Sequence, residues 1–229
     1  MNKIFVIEGT DGCGKQTQTE KLYNKLIEEN IKCFKTSFPN YDSLSSGPAR
    51  EYLNGNISTN ANAISAKAAS SFYAVDRYIT YKKDIEKFYL DNETIILFDR
   101  YVSSNLLHQG GKVLSVTNDY AKLNEFATWD YNLEHNDLEL PKPTIIFFLY
   151  VPIQYTLELM KNRENKITHK GKKDIHESDI NHLTNATNAG YYLAKKLGWH
   201  IIECVKDNKL RSIEDIHNEI YLVVKNSLL

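Results

Sequence analysis

The sequence predicts an α/β fold, a five-stranded and mostly parallel sheet covered by helices on both faces. Three observations carry this reading. Apolar runs of strand length alternate with longer amphipathic stretches, a pattern that sandwiches a parallel sheet between helices and puts sites at the strands' C-terminal ends. The first run, Ile4 to Ile7, turns through a glycine-rich loop directly into a helical pattern. Finally, 229 residues can bury about three quarters of their unfolded surface around one core, so a single domain over 1–229 suffices.

Each element has its own signal. Residues 15–29 carry Leu22 and Leu26, then Tyr23 and Ile27, as pairs four apart on a polar background, which predicts a helix. Residues 33–38 alternate toward a second strand, ended by Pro39-Asn40-Tyr41. The stretch 60–90 has no Gly or Pro and predicts one long helix carrying Phe72, Tyr73, Asp76 and Arg77. Residues 94–98 form a third strand running into Asp99-Arg100. Helical patterns over 102–110 and 118–136 follow, Pro141 and Pro143 break the chain, and 144–151 is a buried strand. Helix 153–163 leads into a basic stretch, a helix over 177–197 is stopped by Gly198, and 199–205 is the fifth strand. Ser212 caps the last helix, with Asp215 in the capping-box position and Ile213, Ile216, Ile220 and Val223 in one stripe.

The loop after the first strand carries the chemistry. Gly9, Thr10, Asp11, Gly12, Cys13, Gly14 and Lys15 spell Gly-x-x-x-x-Gly-Lys between a strand and a helix. Such glycines let backbone N–H groups and the helix's positive end converge on phosphate oxygens while the lysine reaches the outer phosphates. The segment is a polyphosphate cradle. The hydroxyl residue expected directly after the lysine to hold Mg²⁺ is replaced by Gln16, with Thr17 next, so the metal ligand stays open between these two and Asp99, the acid that follows the third strand.

Composition narrows the partners. With 28 basic and 29 acidic residues the net charge is −1, which gives no global field for a nucleic-acid polymer or an anionic membrane. Cys13, Cys33 and Cys204 have no metal-type spacing and cannot all pair, as expected of free thiols in a reducing compartment. No cationic and apolar leader opens the sequence and no apolar run approaches a membrane span, so a cytoplasmic protein is expected. His176, Glu177 and His182 fit no common metal spacing and read as polar groups at a helix start. Residues 161–173 hold Lys161, Arg163, Lys166, Lys170, Lys172 and Lys173 against the single acid Glu164. Arg163 is the one arginine there, and its planar fork suits a transferring phosphoryl group better than a lysine does.

Taken together the motifs resemble the thymidylate kinase family from end to end. The phosphate loop with Asp11 inside it is similar to that family's Glu-Gly-x-Asp-Gly-x-Gly-Lys, Phe38-Pro39-x-Tyr41 to its Phe-Pro-x-Tyr, and Tyr73-Ala74-x-Asp76-Arg77 to its aromatic-x-x-Asp-Arg. Asp99-Arg100-Tyr101-x-x-Ser104-Asn105 is the strongest match, and Gln109-Gly110, Trp129 with Leu133-Glu134, and Leu140-Pro141-Lys142-Pro143 fall in the expected order. Three positions depart: Gln16, His108 where tyrosine is frequent, and Tyr150 where the fourth strand often ends in aspartate.

The resemblance implies a three-layer P-loop NTPase fold with a short basic lid at 161–176, and transfer of the γ-phosphoryl of ATP to dTMP, giving dTDP in dTTP biosynthesis, with Mg²⁺ and in a homodimer. It assigns Lys15, Asp11, Arg100 and Arg163 to catalysis, and the loop from Gly9 to Thr17 to ATP. Tyr41 and Arg100 would hold the dTMP phosphate and Tyr73 would stack on thymine. Arg77 and Asn105 would bond the base edge, Gln109 or His108 would line the sugar, and Ser104 and Glu177 complete the substrate set. Read without the family, Arg77 is equally a structural ion pair or a solvated helix charge. Two alternatives stand beside the main reading: a kinase for another deoxynucleotide or deoxynucleoside, and a nucleotide-binding regulatory protein without turnover.

Overall fold

The protein is described by a computed structural model covering residues 3–60, 63–160 and 180–228. Five parallel strands, β1 (Ile4–Glu8), β2 (Cys33–Ser37), β3 (Ile95–Asp99), β4 (Ile145–Tyr150) and β5 (His200–Glu203), lie in the order β2-β3-β1-β4-β5. Alternation of side chains along each strand decides which layer it feeds. Phe5 and Ile7, Ile95 and Leu97, and Phe147 and Leu149 point to one core, which α1 (Lys15–Glu28) and the C-terminal helix (Ile213–Leu228) close with Leu22, Leu26, Ile216, Ile220 and Val224. Ile4, Val6, Ile96 and Phe98 point the other way. Both faces being covered, β1 and β3 are buried at every position, as expected of a parallel sheet.

The remaining helices are α2 (Gly47–Leu53), α3 (Ala66–Thr80), α4 (Glu86–Leu90), α5 (Ser103–Thr117), α6 (Tyr120–Tyr131), α7 (Ile153–Met160) and α8 (Ile180–Leu197), the C-terminal helix being α9. Several differ from expectation. The single helix over 60–90 begins only at Ala66, where Ser65 Oγ accepts from Ala68 N at 3.2 Å, and it widens into a π-turn at Tyr81–Ile85 before α4. Helix α2 is an addition to the expected elements, and Pro48 suits its first turn, where the missing N–H has no partner to lose. Helix α5 runs seven residues past its expected end at 110 because Gly110 and Gly111 serve packing, not a break. A Cβ on Gly111 would lie 2.6 Å from the Ala186 backbone nitrogen, so α8 crosses where only glycine leaves room.

After β5 the chain forms a hairpin, β6 (Val205–Lys206) with β7 (Lys209–Leu210), across Asp207 and Asn208, both at positive φ. Ser212 Oγ caps α9 through Asp215 N at 3.1 Å, but the Asp215 carboxylate turns to Arg211 Nε at 2.6 Å, so only half of the expected capping box forms. No helix among the described residues is long and apolar enough to cross a membrane. The basic lid at 161–176, with Arg163, and Glu177 just beyond it lie outside the described residues.

Candidate active site

The chain between β1 and α1 makes the turn that its glycines require. At Gly9 a Cβ would lie 2.6 Å from Cys13 Sγ and 2.9 Å from Leu149 O, so the backbone passes too close to β4 for any side chain. Gly14 caps α1 in the left-handed region at φ 93°. Gln16 and Thr17 sit exposed on the first turn of α1, whose leading N–H groups face the loop. Lys15 is 5% exposed and bends back over it: Nζ donates to Thr10 O at 2.8 Å and lies 3.8 Å from Asp11 Oδ1. Cys13 is buried nearby, and burial raises its thiol pKa, so it stays protonated.

A second set of groups arrives from the end of β3. Arg100 adopts φ 70°, rare for a residue with a side chain, and its N–H is held by Ile7 O at 3.1 Å. From there the guanidinium crosses to the loop, pairs with Asp11 and reaches His108 Nε2 at 3.1 Å. Arginine can only donate, so Nε2 accepts and the ring is the neutral tautomer protonated at Nδ1. Burial, together with the charge of Arg100, depresses the His108 pKa against the pull of Asp11. Burial also opposes ionisation of Asp11, but Arg100 and Lys15 outweigh it and hold that carboxyl well below the usual range. The sequence reading missed Glu8. Fully buried, it accepts from Gly9 N at 2.9 Å through one oxygen and from the Ser103 and Ser104 hydroxyls at 2.8 Å through the other, which fastens the loop to the start of α5. The Ser104 proton is therefore committed to Glu8.

The residues present suit a magnesium ion bound together with a nucleotide. Asp99 Oδ1 is buried without a hydrogen-bond partner among the described residues, beside Ile7 in the sheet register and so at the foot of the loop. Among the described residues no three His, Cys, Asp or Glu side chains gather into a metal cage. One carboxylate plus substrate phosphates and water is how Mg²⁺ is usually held, so the orphaned Asp99 oxygen fits and a protein-only cage is not needed.

On the other side of Arg100, α3, α5 and α6 line a second region. Ser70, Tyr73 and Arg77 fall on one stripe of α3. Tyr73 is half-buried, edge-on to Tyr52 at 6.4 Å, in a cluster that Tyr41 and Phe72 also join. Arg50 of α2, absent from the sequence reading, donates to Tyr41 O at 3.3 Å. Arg77 is buried in a two-pronged pair with Glu134 and reaches Tyr101 O at 3.4 Å. Asn105 Nδ2 contacts Asp130 Oδ1 at 3.0 Å and Glu134 Oε1 at 2.9 Å. One turn further along α5, Gln109 keeps a buried Oε1 with no partner. Neighbouring Asp76 serves structure: it accepts from Asn40 N at 2.8 Å and Ser45 Oγ at 2.6 Å, tying the chain after the cis Phe38–Pro39 bond to α3.

Comparison with known proteins agrees with this layout. The family model described as thymidylate kinase matches residues 7–220. A thymidylate kinase of Fervidobacterium nodosum is 30% identical over 222 residues, covering 96% of this chain and 98% of that protein. A probable thymidylate kinase of Pyrococcus horikoshii is 29% identical over 226 residues, covering 99% and 97%. In fold, the chain is similar to the solved thymidylate kinase of Candida albicans, with a TM-score of 0.72 and 17% identity over 99% of this chain and 92% of that one. A phosphate loop, an arginine at the neighbouring strand end and a family match over nearly the whole chain converge: this protein belongs to the thymidylate kinase family.

Proposed function

We propose that this enzyme transfers the γ-phosphoryl of ATP to dTMP, giving dTDP and ADP on the way to dTTP. One observation carries the reading: Arg100, from the end of β3, pairs with Asp11 inside the phosphate loop, so the donor cradle and an acceptor-side cation meet at adjacent strand ends. Bringing two anions together demands positioning and charge neutralisation more than a general base. Lys15 and the amides of Gly9 to Thr17 hold the ATP phosphates. Asp99, with Gln16 or Thr17, would hold Mg²⁺, which would supply charge neutralisation at the transferring group. Arg100 and Tyr41 hold the dTMP phosphate, and the neutral His108 steadies Arg100 by accepting one of its hydrogens. Tyr73 stacks on the base, Arg77 and Asn105 meet its edge, and Gln109, with Ser104 and His108 near the phosphate end, lines the sugar side.

The family resemblance supports a single domain whose basic stretch at 161–176 supplies Arg163 to the phosphates, with Glu177 in the substrate set. It also supports a cytoplasmic homodimer. The test is ADP release measured by a coupled assay over a panel of nucleoside monophosphates, with and without Mg²⁺. Activity should require Mg²⁺ and follow dTMP over dUMP over dCMP. Preference for another monophosphate would move the assignment within the kinases, and nucleotide binding without turnover on any of them would favour a regulatory protein.

A further inference from the structure

Behind the base side of the site lies a buried cluster whose charges do not balance. Arg77 from α3 brings one positive charge, while Asp130 of α6 and Glu134 of the π-turn that follows (Asn132–Asp137) bring two carboxyls, and none of the three is more than 2% exposed. Glu134 occupies Arg77 with two bonds of 2.6 Å, which leaves Asp130 without a cation of its own. The charged groups facing Asp130 are Glu134, an extension of its own helix, and Arg77; Asn105 from α5 and Ser70 from α3 face it as neutral groups. Asp130 Oδ1 accepts from Asn105, while Oδ2 and the Ser70 hydroxyl that faces it are both buried without a hydrogen-bond partner among the described residues. The hydroxyl could donate to a carboxylate, but two negative charges would then remain against one guanidinium in a dry site, an arrangement burial penalises heavily. A proton on Oδ2 removes the excess charge and lets Asp130 donate to Ser70 Oγ. Burial first, and then Glu134, raise this carboxyl to about 8 against the pull of Arg77, which is consistent with that state at neutral pH.

The consequence falls on Asn105. Its Nδ2 faces three acceptors, Asp130 Oδ1, Glu134 Oε1 and Ser70 O at 3.0, 2.9 and 3.3 Å, so its amide has one orientation and Oδ1 takes none of these bonds. One turn along the same face of α5, Gln109 Oε1 is a buried acceptor without a donor among the described residues. The pair wants a ligand that brings N–H or O–H groups.

We propose that Asp130 is a positioning residue kept as a neutral carboxylic acid, locking Asn105 with Oδ1 toward the ligand so that the site selects a pyrimidine bearing an imide N–H. This inference rests on the reading of dTMP as phosphoryl acceptor. Thymine and uracil carry that N–H, whereas cytosine places a lone pair there, opposite the Asn105 oxygen. A site built to bond a donor rejects the analogue lacking it far more strongly than a site that merely fits its shape.

Two measurements on the full chain test it. In the wild type with ¹³C-labelled aspartate carboxyls, the Asp130 signal, assigned by its absence in Asp130→Asn, should be that of a protonated acid at pH 7; a carboxylate signal overturns the proposal whether or not any variant folds. In steady-state kinetics, Asp130→Asn should keep the wild-type dTMP-to-dCMP ratio of kcat/KM, because its amide can accept from Asn105 and donate to Ser70. Asp130→Ala should lower that ratio by about tenfold or more. An unchanged ratio in Asp130→Ala also overturns it. Wild-type enzyme that does not use dTMP would instead refute the acceptor assignment itself.

Discussion

Arg77 Nε and Nη2 each lie 2.6 Å from a carboxylate oxygen of Glu134, with neither side chain more than 2% exposed. Such a pair gains little over apolar packing, but removing one partner strands a buried charge. Arg77→Ala is therefore expected to lower the unfolding free energy by about 3–5 kcal/mol, read from urea denaturation. Because the same guanidinium is the candidate for the base edge, KM for dTMP should rise while KM for ATP stays near wild type. A stability loss of less than about 1 kcal/mol would mean that water reaches Glu134 and that the pair behaves as a surface one.

Among the described residues the Lys15 ammonium contacts only its own loop, through Thr10 O at 2.8 Å, Asp11 Oδ1 at 3.8 Å and Cys13 Sγ at 4.0 Å. Lys15→Ala should leave the thermal melt close to wild type and lower turnover on the order of a hundredfold or more, since the ammonium acts where charge develops in the transferring group. Near-normal turnover would remove the lysine from the phosphates.

Much of the fold is written in the sequence because the apolar runs Ile4 to Ile7, Ile95 to Phe98 and Phe147 to Phe148 feed cores on both faces of the sheet, and the glycine-lysine loop has few structural alternatives. What stayed hidden depends on tertiary partners. The helical pattern over 102–110 stops at Gly110-Gly111 until α8 is seen to need the space, and no pattern marks Gly47-Pro48 as the opening of α2. Glu8 looks like the polar end of a strand, and only the serines at the start of α5, 95 and 96 positions away, reveal its role. Asp130 carries no signal of its own in the helical stretch 118–136; its burial is set by α3 and α5, which no local pattern encodes.

The metal assignment turns on Asp99 and Gln16. Asp99→Asn keeps the shape but removes the charge from the buried, unpartnered Oδ1 position, so the Mg²⁺ concentration giving half-maximal rate should rise by about tenfold or more, as one lost charge-assisted contact implies. Gln16→Thr restores the usual hydroxyl on an exposed helical turn and should shift the same titration toward lower Mg²⁺ without abolishing activity. An unchanged magnesium titration in Asp99→Asn would place the ion elsewhere.

Stability should depend on pH through Asp130. An aspartate in the unfolded chain titrates near 3.9, and in the folded protein this one is raised to about 8. Between those values the folded state holds one proton more than the unfolded state, so stability falls as pH rises, by at most about 1.4 kcal/mol per pH unit, and levels off above the folded value. His108 has the opposite sign: its depressed pKa costs stability only as pH drops below the unfolded value of about 6.5. Asp11, held well below the usual carboxylate range by Arg100 and Lys15, loses its contribution only as pH falls through the acid range. In the interval from about 6.5 to about 8 Asp130 therefore lowers stability as pH rises, while Lys112, whose pKa burial lowers to about 8, enters with the opposite sign at the upper end. Asparagine does not titrate, so the stability of the wild type relative to Asp130→Asn should fall by about 2 kcal/mol at most across that interval, measured by urea denaturation at its two ends. Parallel stability profiles would show that Asp130 has the same protonation state, folded or unfolded, throughout, and that its burial is compensated by a charge other than its own proton.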